Sequence, residues 1–316
     1  MSQIAIDNAR TNERLSMFLS RIDENEPVDN VFVDLPLLKE LMGRRTVIDG
    51  GRQSMIIVET DQNSTVDSFE GNDTFDTSVQ DTTQTAVFAY KNYGATVTIL
   101  WEEKRETATD DVRTFDLLRH RRNSALMSMK DRMNSDMFVV SPASKDLNSL
   151  PFLITTTGTV GGIDSSTDTF WQSQETTSVG AFTSNGMTNM RSLWNDILRQ
   201  GQGTPDLTLT TQAIFEAYEA EQDPDVRYEN PDVLARGATS LVFKGKPIMF
   251  DADISACELY IINFDWLKFV VDTDGQFTFD EFQTPVDQKS STAKLVFRGQ
   301  LITTNRRALG RLTGVT

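Results

Sequence analysis

Apolar positions change period several times along the chain. In "NERLSMFLSRI", Leu15, Phe18, Leu19 and Ile22 share one helical face. "PVDNVFVDLP", bounded by Pro27 and Pro36, alternates like an extended arm, and "LPLLKELMGRR" follows as a short amphipathic turn. From residue 46 the period drops to two. "QSMIIVET" and "TQTAVFAYKNYGATVTILWEE" are rich in β-branched and aromatic residues and predict strands. The segment between them, "DQNSTVDSFEGNDTFDTSVQDTT", is polar and acidic. The pattern predicts a long two-stranded arm with a polar tip. Such an arm is marginal alone in water and must lie on something. A disordered acidic loop is the alternative reading.

The clearest helix spans 108–137. Thr109, Asp110 and Asp111 offer N-cap and first-turn chemistry, and Val112, Phe115, Leu118, Leu126, Met129, Met133 and Met137 recur at helical spacing. The methionines read as core filler. The opposite face carries Arg119, Arg121, Arg122, Lys130 and Arg132. A helix of ~25 residues runs ~38 Å. Beyond 150 the periods mix. "GMTNMRSLWNDILRQG" is an amphipathic helix closed by Gly201, and "PDLTLTTQAIFEAYEAE" is a short strand followed by a helix from about Thr211. "SLVFKGKPIMF", "ELYIINFDWLKFVVD" and the basic-ended "AKLVFRGQLITTNRRALGRLTGV" are strands. The whole predicts an α+β fold with an arm, a long hairpin and no internal repeat.

Composition narrows the chemistry. The 316 residues are 38% hydrophobic and 24% charged, which supports a folded core of one large or two modest domains. No run approaches the ~18 apolar residues of a membrane span, and the charged N-terminus lacks a signal-peptide core. These features predict a soluble protein made in the cytoplasm, with no membrane partner. One histidine, His120, excludes His-rich zinc sites, and no G-x-S-x-G elbow accompanies it. The single cysteine, Cys257, sits in the apolar run "ISACELYII" and is expected to be a buried structural thiol. A net charge of −16 argues against a free nucleic-acid binder.

Three stretches resemble ligand sites and are better read otherwise. In "DTDGQFTFDEF", Asp272, Asp274 and Glu281 fall at EF-hand ligand positions three, five and twelve and Gly275 at the turn position six, but Val270 occupies the first and cannot coordinate. Asp274-Gly275 between β-rich runs predicts a hairpin turn. "TGTVGGID" lacks the Lys-Ser/Thr of a P-loop. "TNRRALGR" is a small basic cluster for which ion pairing is favoured over a nucleic-acid contact. No cofactor or metal is expected.

Four of these stretches, in order, resemble tailed-phage major capsid proteins. "LPLLKELMGRRTVIDGGRQSMIIVET" followed by "NSTVDSFEGNDTFDT" is similar to the family's arm and first hairpin strand. "TGTVGGIDSSTDTFWQSQ" resembles its glycine-Ile-Asp loop, and "TPDLTLTTQAIFEAYEA" its strand-helix unit. "RGQLITTNRRALGRLTGV" resembles its closing strand through Asn305, Arg306, Arg307, Gly310, Leu312, Thr313 and Gly314. The resemblance covers nearly the full chain and implies the Hong Kong 97 capsid fold. On that template residues 1–45 are the N-terminal arm and 46–100 the E-loop hairpin. Residues 101–175 are the peripheral domain with a spine helix at 110–137, 176–284 the axial domain, and 285–316 the closing peripheral strand. Phe170 and Trp171 become structural anchors, and the glycine loop becomes structural. Two departures stand out: no long N-terminal extension could act as a built-in scaffold, and no lysine or arginine lies between Gln53 and Tyr90 to supply a hairpin cross-link.

The resemblance implies a structural protein, not an enzyme. It would self-assemble through hexamers and pentamers into an icosahedral shell, part of the virion and assembled in host cytoplasm. The shell would enclose double-stranded DNA without reading its sequence. Scaffolding, portal and decoration proteins are candidate further partners. An encapsulin-like nanocompartment shell is the nearest alternative, and a soluble carboxylate-dependent enzyme the rival from another class. For subunit contact, the acidic hairpin face (Glu59, Asp61, Asp67, Glu70, Asp73 and Asp76) is expected to meet the basic helix face (Arg119, Arg121, Arg122 and Arg132) of a neighbour.

Overall fold

A computed structural model describes residues 35–106, 111–201, 203–221, 241–284 and 289–316. The helix expected at 12–22, most of the arm at 27–36, and the cap residues Thr109 and Asp110 lie outside the described residues. In chain order the elements begin with α1 (Pro36–Gly43), β1 (Thr46–Ile48), β2 (Gln53–Glu59), β3 (Thr83–Ala89) and β4 (Lys91–Leu100). Next come α2 (Trp101–Glu106), α3 (Asp111–Phe138), α4 (Leu150–Leu153), β5 (Thr159–Val160), β6 (Ile163–Asp164) and β7 (Gln174–Thr176). Then follow α5 (Met187–Gln200), β8 (Leu207–Thr210), α6 (Gln212–Glu221), β9 (Leu241–Phe243) and β10 (Lys246–Phe250). The chain closes with β11 (Glu258–Ile262), β12 (Leu267–Asp272), β13 (Thr278–Phe279), β14 (Ser290–Thr303) and β15 (Gly310–Thr313). The fold class is α+β, as the pattern predicts.

The chain forms two compact units. One holds residues 93–132 and 275–297, the other 34–92, 133–274 and 298–316. These divisions cut the chain differently from the domain bounds that the resemblance implies. Helix α3 and strands β4 and β14 each contribute residues to both units.

In the larger unit a six-stranded sheet runs in the order β7-β15-β11-β8-β10-β9. Lys244 and Gly245, both at positive φ, make the tight turn joining β9 to β10. Helices α5 and α6 cover one face of this sheet. Met190, Leu193, Trp194 and Ile197 line the buried stripe of α5, and Ile214, Phe215 and Tyr218 that of α6. They close on Ile248, Leu259, Ile261 and Leu312 from the strands in one apolar core. Gly201 ends α5 as expected, and for a packing reason: a Cβ there would stand 2.5 Å from Ala308 Cα. The same unit holds the parallel pair β1·β12, with Thr46 opposite Val270, and the antiparallel pairing of β12 with the last residues of β14.

In the smaller unit β13 pairs with β14 through Thr278↔Val296 and Phe279↔Leu295, and β4 also pairs with β14. This corrects two sequence expectations. The strands flanking Asp274-Gly275 do not form a hairpin with each other, because β12 and β13 both take β14 as partner. Strand β4 likewise leaves the hairpin of β2 and β3 for β14, so the hairpin ladder ends at Ala89. Periodicity shows that a segment is a strand but not which strand it joins.

Cys257 is a third correction. It is half-buried with φ +68, held by Val315 N donating to its carbonyl oxygen. The apolar run places it beside a buried strand, β11, while its own backbone turns.

Trp194 meets Phe243 edge-to-face at 5.4 Å in the middle of the α5 core. Trp194→Ala is expected to cost about 3–5 kcal/mol through the cavity left behind. Calorimetry of the unassembled chain should show a lower melting temperature, and an unchanged one would place the core's stability elsewhere.

Candidate functional site

The hairpin carries the largest group of exposed apolar side chains among the described residues. Its ladder is antiparallel and in register from Gln53↔Ala89 to Glu59↔Thr83. Side chains alternate faces along such a pair. Ser54, Ile56, Val58, Ala86 and Phe88 turn toward one face, where Ala86 and Phe88 are buried. Met55, Ile57 and Val87 turn toward the other and stay exposed.

The loop at 60–82 caps this ladder. Its carboxylates fold back on its own backbone: Ser68 N donates to Asp67 Oδ1 at 2.8 Å, Glu70 N to Asp73 Oδ2 at 2.9 Å and Ser78 N to Asp76 Oδ1 at 2.9 Å. These turns leave apolar groups outward. Phe69 (64% exposed) and Phe75 (67%) stack edge-to-face with centroids 4.9 Å apart. Val66 and Val79 are more exposed still, Val79 at 98%. Glu59, Asp61, Asp67, Glu70, Asp73 and Asp76 are all exposed around this apolar group.

Beneath the hairpin lies the glycine loop. Val87 N donates to Gly161 O at 2.8 Å. Gly161 has φ +64, and a Cβ on it would sit 3.1 Å from both Ala86 Cβ and Phe88 Cζ. Only glycine allows both this backbone turn and this approach. The loop's other polar groups bond within it: Ser165 Oγ donates to Gly158 O, and Gln172 Nε2 to Ser165 O, each at 2.8 Å.

Trp171 is buried, and its indole Nε1 donates to Val160 O at 2.9 Å. Phe170 is half-buried, with its ring 6.5 Å from that of Trp171. Behind them Arg306 is fully buried. Its Nε donates to Leu153 O at 2.8 Å, Nη1 to Trp171 O at 2.8 Å and Nη2 to Thr155 O at 2.7 Å. Burial pushes its pKa down to about 10, against the upward pull of the Glu175 carboxylate, so it is a cation at neutral pH.

The hairpin base is tied to β14. Gln300 Nε2 donates to Ala89 O at 3.0 Å, and Arg298 donates to Gly51 O while pairing with Asp272 at 3.0 Å.

The basic cluster 304–311 therefore divides. Arg306 serves backbone carbonyls, while Arg311 is ion-paired to Glu258 and, at 3.6 Å, to Glu175. The Tyr260 hydroxyl donates to Glu258, and burial raises its pKa. Among the described residues no group of three acidic, histidine or cysteine side chains is arranged to hold a metal.

The basic helix face is occupied within its own unit. Arg121 makes a two-pronged pair with Glu103, at 2.8 and 2.6 Å, and its Nη1 also donates to Thr98 O at 2.7 Å. Arg122 stands over the Phe279 ring at 5.5 Å, and Lys130 over Phe277 at 5.8 Å. Such stacking satisfies a cation without a carboxylate.

No protein-family model and no curated protein matches the sequence. Solved structures do match. The chain is similar to a subunit in the cyanophage A-1(L) capsid asymmetric unit, with 16% identity, TM-score 0.67, and 95% of this chain and 99% of that one covered. It is also similar to a capsid chain of a GTA particle (12% identity, TM-score 0.59, 93% and 95% covered). A third match is the SrpI encapsulin of Synechococcus elongatus (11% identity, TM-score 0.58, 94% of each chain covered). The chain has a capsid-shell fold.

On that fold the residues singled out from sequence belong to both units. The acidic residues share the hairpin and its loop, the anchors lie beneath it, and Arg121 is bound to Glu103. Sequence reading passed over Phe69, Phe75, Val66 and Val79 because it counted the loop's charges and not the apolar residues spaced among them. Arg306 was missed because a buried guanidinium and an exposed one look alike in a basic cluster. The sequence signals for it were its place beside the apolar "ALG" and its position in the closing-strand resemblance.

Glu103 is 5% exposed and Arg121 30%, so their pairing is largely shielded. Arg121→Glu is expected to cost the subunit about 1–3 kcal/mol by leaving a buried carboxylate facing another. Adding Glu103→Arg should recover part of it. Thermal denaturation of the unassembled single and double variants tests this, and two additive losses would show that the pair is not coupled.

Proposed function

We propose that this chain is the major subunit of an icosahedral head shell that encloses double-stranded DNA. It would assemble with copies of itself through hexamers and pentamers in the host cytoplasm and end in the virion. The observation that carries the reading is a capsid-shell fold over almost the whole chain together with an exposed apolar group on the hairpin. A soluble monomer gains nothing from exposing Phe69, Phe75, Val66 and Val79 on one loop. Burial of each ring against a neighbour contributes about 1.5–3 kcal/mol, and a shell repeats that contact at every subunit. The surrounding carboxylates act as a polar rim that sets orientation more than affinity.

Pairing of the acidic loop with a neighbour's helix, expected from charge, would accompany this apolar docking, with Arg121 already holding Glu103 in its own subunit. The net charge of −16 suits a container that must release its genome, because few cations are available to neutralise phosphates. Scaffolding, portal and decoration proteins are the further partners such a shell uses. The reading assigns the chain no catalytic role.

Expression of the chain and electron microscopy test the reading directly. Closed shells, or the pentamers and hexamers that build them, are expected. A chain that stays monomeric in light scattering at high concentration overturns it. Double-stranded DNA inside particles from the natural source is expected, whereas enclosed protein would make the chain a nanocompartment shell. The docking surface has its own test in the double variant Phe69→Asp, Phe75→Asp. Shell yield should fall at least about tenfold, as the loss of one ring contact per interface requires. The melting temperature of the dissociated subunit should not move, and normal yield would exclude the loop from assembly.

A further inference from the structure

We propose that Arg306 is a positioning residue for the hairpin, acting through Trp171 and the Val160–Gly161 turn. The inference rests on the reading of the hairpin as the assembly element, and it names what sets the hairpin's place on its own subunit.

The connection can be followed bond by bond within one compact unit. The guanidinium of Arg306 holds the carbonyl oxygens of Leu153, Thr155 and Trp171, which fixes the backbone carrying the indole. The indole Nε1 in turn holds Val160 O. The next carbonyl along the chain, that of Gly161, receives the amide of Val87 in β3. Each link is short, and the donors at Arg306 and Trp171 are buried. Water does not compete with a buried donor for its acceptor, so displacement of one link is felt at the next. Gly161 lies too close to Ala86 and Phe88 for the turn to slide under the hairpin without moving it.

The arrangement also explains why a charge is buried here with no carboxylate bonded to it. A planar guanidinium presents donors in a fixed fork and can fix separate backbone segments in one geometry. A lysine ammonium would keep the charge without that geometry.

Hydrogen exchange on the full-length chain, read by mass spectrometry in unassembled subunits, tests the proposal. Trp171→Phe keeps the ring and removes only the indole N–H. Exchange across Thr83–Ala89 is expected to rise ~5–10-fold, the loss of about one buried hydrogen bond. Exchange across Glu258–Ile262 should stay at the parent rate. No rise at the hairpin, or an equal rise in both segments, overturns the proposal. Arg306→Lys should raise exchange at Leu150–Leu153, at Thr169–Trp171 and at Thr83–Ala89 together. A rise at the first two without the third would break the relay. If either variant fails to fold, Gly161→Ala, which leaves Arg306 and the indole intact, reads the same seat. A rise confined to Thr83–Ala89 supports the proposal, and none refutes it. These readouts do not require assembly. If they hold in a chain that never forms particles, the relay stands and the shell reading falls. If shells form normally with no change in exchange, the shell reading stands and the relay falls.

Discussion

A cation without access to water must be surrounded by donors' partners or it will not stay folded. Arg306 meets that constraint with three backbone carbonyls drawn from two segments, 153–155 and 171. Much of the surrounding geometry follows from it. The glycine loop between those segments is fixed at both ends, and Trp171 is turned so that its indole reaches Val160. Strand β15 begins just after Arg306 and carries Arg311 into the network with Glu258 and Tyr260. One polar residue thus ties the closing strand, the loop and the hairpin seat together, while the apolar core under α5 and α6 supplies the bulk of the cohesion.

Charge also acts within the subunit. The acidic loop and the basic helix look complementary when written out as a sequence. In the folded chain Arg121, Arg122 and Lys130 meet Glu103, Phe279 and Phe277 within their own unit. The loop carboxylates at Asp67, Asp73 and Asp76 are satisfied by the loop's own amides. The same loop leaves Phe69, Phe75, Val66 and Val79 exposed. Charge here shapes the loop that presents the apolar group, and burial of that group is what the proposed association would gain.

The sequence made the elements legible wherever period and boundary chemistry agreed. α5 ends at Gly201, β8 gives way to α6 next to Thr211, and α3 runs from Asp111 to Phe138, because apolar spacing and local stop signals point the same way there. Partner choice was less legible. Strands β12, β13 and β4 all take β14, and nothing in a period-two pattern encodes which edge a strand will join. The seat of the hairpin was hidden for a related reason. Gly161 is one of three glycines in "TGTVGG", all at positive φ, and only the approach of Ala86 and Phe88 shows which of them seats the hairpin. Trp171 was visible as a large aromatic in a polar stretch, whereas the cation behind it was read together with Arg307 and Arg311 as one ion-pairing cluster.

The loop at 60–82 closes a ladder whose register is already fixed by β2 and β3, and its internal bonds are local turns. Closing a flexible loop costs only about 0.6 kcal/mol for each doubling of its length. Insertions or deletions in this segment therefore leave the subunit's own folding nearly untouched while changing how far the aromatic pair reaches.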